Sequence, residues 1–215
     1  MYTHNGVSLP GGAAFCEANI LLEGLRLERS GKLFQSVSIM LSTFMNWTTS
    51  QLQSSGSRPL SIVLPSLMIL IPDSHVRNVF DGSNGIGYLC RHLRYDHLGD
   101  SRASVQHLYE LCFCIWLMSY DVEYSEGIRN HFHRDGAVGV LCDLVAQSPR
   151  EKVVRCALAT LRNLATCKAA VKVRRASSVI QGSDYLVEIV GCGLMKSLET
   201  LRSRQWTDPD IVEGT

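Results

Sequence analysis

Apolar residues recur at helical spacing along most of the chain, and in one stretch they leave hardly any face for water. From Val105 to Tyr120 the sequence reads VQHLYELCFCIWLMSY, a helix so apolar all round that other helices must cover most of it. It is roughly 24 Å long at ~1.5 Å per residue, and Arg102 and Asp121 flank it, which argues against a bilayer span. The pattern predicts the inner helix of a stack, with Trp116 in the core between repeats.

Upstream, residues 1–12 contain Gly and Pro and give no periodic signal, so they are expected to form a loose leader. From 13 to about 29, and from 32 to about 53, Leu, Ile, Met and Phe follow helical spacing around a turn at Ser30-Gly31, which predicts a helical hairpin. SSGSRP at 54–59 has the composition of a loop. In the run LSIVLPSLMILI that follows, Pro65 should end or kink a helix.

From Asp73 a three-part unit recurs. DSHVRNVFD, a turn at Asn84-Gly85, IGYLCRHL and the long apolar helix form the first copy. EYSEGIRNHF, a turn at Asp135-Gly136, AVGVLCDLV and REKVVRCALATLRNLAT form the second. A partial third ends with DYLVEIV, a turn at Cys192-Gly193 and LMKSLETLRSRQW. The turn glycines Gly85, Gly136 and Gly193 lie 51 and 57 residues apart, and a leucine (Leu93, Leu144, Leu201) follows each by eight positions. A short, a medium and a long helix with Gly between the first two is the pattern of armadillo and HEAT repeats; Gly suits a left-handed position at a helix end. No stretch alternates as a strand does over a useful length. The predicted fold is all-α, an armadillo/HEAT-like right-handed helical solenoid over residues 13–207.

Composition leaves this picture in place. With 215 residues, 46% hydrophobic and 19% charged, the chain can bury a core, and its net charge of +1 demands neither a nucleic-acid partner nor an anionic membrane surface. The N-terminal stretch MYTHNGVSLPGGAAF lacks the basic start and apolar run of a secretory signal. A cytosolic chain without membrane insertion is therefore expected. The eight cysteines lie within apolar helical runs, which predicts buried, reduced thiols. Asn46-Trp47-Thr48 fits a glycosylation site, without consequence in that compartment.

Three stretches are more specific: LCFCIWLMSY (111–120), EKVVRCALATLRNL (151–164) and LETLRSRQWTDPDIVE (198–213). Together they resemble the H subunit of the vacuolar-type proton-pumping ATPase (V-ATPase), and LPSLMILIPDSHVRNVFDGSNGIGYL (64–89) is similar more loosely. The most distinctive piece is the ending that carries Arg204, Trp206, Asp208, Asp210, Ile211, Val212 and Glu213. Departures are Gly139, where the family usually has proline, and the poorly matched stretch from Thr166 to Asp184. The resemblance places the chain in the later part of the family's large N-terminal helical domain, with 208–215 as the start of a linker to a C-terminal domain absent here. It implies a non-catalytic regulatory and structural subunit that docks on the peripheral stalk formed by the E and G subunits, next to the catalytic sector. Such a subunit helps couple ATP hydrolysis to proton transport. It would lie peripherally on vacuolar or other acidic-organelle membranes through the pump. The alternative is a general armadillo-type scaffold or adaptor unrelated to the pump.

Motifs for chemistry are weak. Gly31-Lys32 is the only Gly-Lys pair, and Arg26 and Leu33 stand where a Walker loop needs Gly and Ser or Thr. Cys112 and Cys114 with His131 and His133 have a zinc-like look, but residues two apart on a helix point to nearly opposite sides. No Ser or Cys sits in a Gly-rich elbow. Neither a catalytic residue nor a cofactor or metal is expected.

Charge gives the one binding candidate. Residues 148–176 hold eight Lys or Arg and one Glu, a local +7 whose ordinary explanation is a solvated helix face. On a helix, Arg155, Ala159, Arg162 and Thr166 share one face, while Val154, Ala157, Leu158, Leu161 and Leu164 share the other. The apolar face belongs to the core. The face with Arg155 and Arg162, together with Asn163, is the candidate groove for an acidic partner segment. A carrier of basic peptides would instead need Trp and Asn four apart on each long helix; Trp116 is followed by Tyr120 and Asn163 preceded by Ala159.

Overall fold

The computed structural model describes residues 3–4, 7–8, 18–26, 36–53, 57–94, 105–169 and 185–206. The expected turn at Ser30-Gly31, Cys16 and residues 208–215 lie outside them. Two two-residue strands, β1 (Thr3–His4) and β2 (Val7–Ser8), pair antiparallel where periodicity predicts no element. Everything else regular among the described residues is helical: α1 (18–26), α2 (Ser36–Gln53), α3 (Ser57–Leu70), α4 (Ser74–Gly82), α5 (Gly85–Leu93) and α6 (Val105–Met118) come first. A 3-10 turn at Ser119–Asp121 follows, then α7 (Glu126–Arg134), α8 (Ala137–Gln147), α9 (Glu151–Ala165), α10 (Tyr185–Gly191) and α11 (Leu194–Arg202).

The elements stack by repeat. The long helices α3, α6 and α9 pack in succession, and the second helices do the same from α2 to α5 to α8 to α11. The first helix of one unit meets that of the next where α4 packs on α7. So α2 and α3 already act as the second and third helices of a unit that precedes Asp73, where sequence periodicity alone first detects the repeat. Each unit buries its face against a neighbour, and one apolar core runs through the stack from Ala18 to Leu201.

Helix starts follow from local chemistry. The Asp73 carboxylate accepts from the backbone N–H groups of His75 (2.9 Å) and Val76 (3.4 Å), and Ser125 Oγ accepts from Ile128 N at 3.4 Å; both satisfy donors that have no partner within the helix. At the inter-helix turns Gly136 (φ 66°) and Gly193 (φ 74°) are left-handed as predicted. The first copy differs, because Asn84 takes the left-handed position (φ 62°). Gly85 instead opens α5, where an added Cβ would run into the Phe80 ring.

Two further expectations are narrowed. Of the two outcomes expected at Pro65, it does not end its helix: α3 continues through it, held on both sides by the fully buried Val63, Leu64, Leu67 and Leu70, whose burial outweighs one missing backbone donor. The long apolar α-helix stops at Met118 rather than Tyr120; there the Ser119 hydroxyl donates to Trp116 O (2.6 Å) and the chain tightens into its 3-10 turn.

Candidate functional site

Helices α6 and α9 lie side by side, and their outward faces, with parts of α10 and α11, wall a groove of about 1150 Å³. On the α9 side stand Arg155, Leu158, Ala159, Arg162, Asn163 and Thr166. The sequence places them there by its helical period: Val153, Val154, Ala157, Thr160 and Leu164 are buried on the opposite side, and the buried Cys156 and Leu161 flank the groove floor. All three candidate residues, Arg155, Arg162 and Asn163, thus line one groove. Leu158, assigned to the core by its spacing, is only partly buried and belongs to the groove wall.

The α6 wall overturns the core assignment of Trp116. Its ring is partly buried and faces the groove with Tyr109, Phe113 and Tyr120. The four rings form a continuous ladder, with centroid separations of 5.9 Å from Tyr109 to Phe113 and 5.6 Å for each of the next two pairs. Steps of four, three and four residues put them on one stripe. Since α6 is apolar nearly all round, its periodicity could not show which side stays open. The cluster of aromatic rings at helical spacing was the available signal, because a Tyr or Trp keeps a polar tip that favours a partly wet site.

One hydrogen bond and one cation–ring contact tie the two walls together. The Asn163 amide donates to Ser119 Oγ at 2.8 Å, which fixes Asn163 beside the end of α6. Lys152 Nζ sits 5.8 Å from the Tyr109 ring centroid, within reach of a cation–π contact. Burial pushes the Tyr109 phenol above its ordinary range, reinforced by nearby Cys156, opposed by Arg155 and reinforced again by Glu110. Among the described residues, the groove lining includes two arginines and no carboxylate, with Glu110 close to the Tyr109 ring.

The residues with a zinc-like spacing are not brought together. Cys112 and Cys114 are fully buried on α6, whereas His131 Nδ1 meets Asp81 Oδ1 at 2.5 Å and His133 meets Glu188. Among the described residues no group of three or more His, Cys, Asp or Glu could hold a metal ion. No helix among them is long and apolar enough to cross a membrane.

The distinctive Arg204-x-Trp206 ending has a structural place. The Arg204 guanidinium donates to Ser148 O and Ala146 O, both at 3.2 Å, and closes the C-terminal end of α8. Trp206 Nε1 donates to Leu201 O at 2.7 Å, and Arg204 lies 5.7 Å from its ring centroid.

Repeated helical units, a shared core and a groove along the long helices define an all-α helical-repeat protein of the armadillo/HEAT kind. Two engineered proteins of known structure share the fold, with TM-scores of 0.62 and 0.55 at 12% and 16% identity. The match covers 99% of this chain in both cases, and 91% and 54% of those chains. A family model described as the V-ATPase H subunit matches residues 17–214, and the chain belongs to that family. Similar relatives are the V-type proton ATPase H subunit of Drosophila melanogaster, 28% identical over 80% of this chain and 33% of the relative, and that of Dictyostelium discoideum, 28% identical over 79% and 33%. A probable V-type proton ATPase H subunit of Oryza sativa subsp. japonica is 26% identical over 83% of this chain and 35% of its own length. The chain spans about a third of the length of the curated relatives it matches.

Proposed function

We propose that the chain acts as a non-catalytic regulatory and structural subunit of a V-type proton-transporting ATPase. It docks on the peripheral stalk formed by the E and G subunits, beside the catalytic sector, and helps couple ATP hydrolysis to proton transport. It reaches vacuolar or other acidic-organelle membranes through the pump. The observation that supports docking is a groove with Arg155 and Arg162 on its wall and no carboxylate among its described lining residues, in a chain of the V-ATPase H subunit family. Arg26 and Leu33 around Gly31-Lys32 leave the chain without a phosphate loop at its one Gly-Lys pair, in keeping with a subunit that turns over no ATP itself.

A pull-down with the E and G stalk subunits tests the reading, comparing wild type with the double charge reversal Arg155→Glu and Arg162→Glu. Wild type should be retained and the double variant lost, with unchanged helicity, since surface substitutions usually change stability by no more than about 0.5 kcal/mol each. Equal retention removes the groove as the contact. Failure of wild type to be retained removes the stalk as the partner.

A further inference from the structure

The stalk reading draws on the charge of α9, yet the opposite wall of the same groove is aromatic. Tyr109, Phe113 and Trp116 on α6 and Tyr120 in the 3-10 turn that follows it run in ring-to-ring contact, and all four line the groove with Arg155 and Arg162. Tyr120 is 47% exposed. We propose that this groove takes an acidic segment of a partner protein that carries apolar or aromatic side chains, its rings packing on the α6 ladder and its carboxylates pairing with Arg155 and Arg162. This rests on the groove being the docking surface and adds the chemistry of what docks.

Composition supports that occupant. Trp, Tyr and Arg are the residues that carry most energy at protein interfaces, and they do so where rings are already ordered. The ladder is ordered by its own tilted and edge-on contacts, the Phe113 and Trp116 planes meeting at 72°. Ala159 lies between Arg155 and Arg162 on the α9 stripe and keeps bulk out of the wall between the two charges. Guanidinium groups beside aromatic faces accept a segment that offers both carboxylates and apolar side chains. A basic segment would meet the like charge of Arg155 and Arg162 along the groove wall.

The test uses the full chain and two synthetic peptides with the same tryptophan and leucine spacing, one with Glu and one with Lys at the intervening positions. Calorimetric titration should show the Glu peptide binding, weakening with added salt, and the Lys peptide at least about tenfold weaker. Arg155→Glu with Arg162→Glu should abolish that preference. Tyr120→Ala, at an exposed position where folding is not at stake, should weaken the Glu peptide several-fold. Equal affinity for both peptides, or no effect of either variant, overturns the proposal. Binding of the Glu peptide by a chain that fails to retain the E and G subunits supports the groove chemistry and removes the pump reading. Retention of both stalk subunits without discrimination between peptides overturns the groove chemistry alone.

Discussion

The Arg77 guanidinium and the Asp121 carboxylate meet in a two-point ion pair, Nε to Oδ2 at 2.7 Å and Nη2 to Oδ1 at 2.8 Å, that joins α4 to the turn ending α6. Both side chains are mostly buried, at 9% and 13% exposed. The remaining arginine donors reach Ile71 O (3.0 Å) and Pro72 O (2.8 Å), so the charge is well hydrogen-bonded, the condition under which a buried pair is tolerated. Removing one partner strands the other. Asp121→Ala is expected to cost about 3–5 kcal/mol, whereas replacing both residues with apolar ones of similar volume should cost far less. Urea denaturation of the three proteins checks this; a single variant no worse than the double one would contradict it.

A second inter-repeat pair, Asp81 with His131, predicts a pH effect. Burial pushes the Asp81 carboxyl above its ordinary value of 3.8; the His131 hydrogen bond and charge, then Arg134, oppose this, and Asp135 adds to it. A carboxyl raised in the folded state binds its proton more tightly there than in the unfolded chain. Its contribution to stability is therefore present below the unfolded value and is lost as pH rises through the folded one. Asp81→Asn, which keeps a partner for His131, should gain on wild type as pH rises from about 4. Denaturation midpoints across that range measure it, and a gap that widens toward acid would reverse the assignment.

What the sequence made legible follows from the range of each signal. The repeat, the helix order and the separation of the α9 faces are short-range patterns, and the stripe of Arg155 and Arg162, with Asn163 beside it, could be placed from them. The pairs between units could not, because Arg77 and Asp121 lie 44 residues apart and Asp81 and His131 lie 50 apart. A signal did exist for the second: Asn84 accepts from Arg134 at the same separation of 50, close to the 51 residues between Gly85 and Gly136, so polar partners one repeat apart were candidates. The left-handed turn was misplaced by one residue because Asn-Gly offers two residues able to adopt it, and only the closeness of Phe80 to Gly85 decides between them.

The open side of α6 changes the expected cost of losing Trp116. A core position would cost about 3–5 kcal/mol on truncation to Ala. With the ring partly exposed in the groove, Trp116→Ala should cost clearly less than Phe132→Ala, whose ring is fully buried. Chemical denaturation of both variants compares them directly. Equal losses would return Trp116 to the core.

Thiol chemistry separates one cysteine from the rest. Cys90, Cys112, Cys114, Cys142, Cys156 and Cys167 are buried, as expected, but Cys192 is exposed at the turn before α11. Burial pushes the Cys90 thiol up to about 12, and burial followed by the nearby Cys192 does the same for Cys142; Cys112 and Cys114 are raised by burial as well. Since the thiolate is the reactive form, Cys192 should be alkylated well before these six in the native chain, and all eight cysteines should titrate once the chain is unfolded. Peptide mapping after a short alkylation pulse reads the order, and prior modification of Cys112 or Cys114 would contradict the packing of α6.

Arg204 and Trp206 are expected to serve the fold rather than the partner. The Arg204 guanidinium supplies donors to two carbonyls at the end of α8, Ala146 O and Ser148 O, where a cation also meets the negative end of the helix dipole. Trp206 is held by its bond to Leu201 O, and the stacked pair seals α11 against α8. Arg204→Ala should cost about 1.5–3 kcal/mol, the range for hydrogen bonds to charged groups. Arg204→Lys should recover only part, because an ammonium lacks the planar fork that spans both carbonyls. Denaturation curves give the stability order, wild type above Lys above Ala. Peptide and stalk binding, measured on the same variants where they remain folded, should stay at the wild-type level; a binding loss without a stability loss would move this pair from the scaffold to the interface.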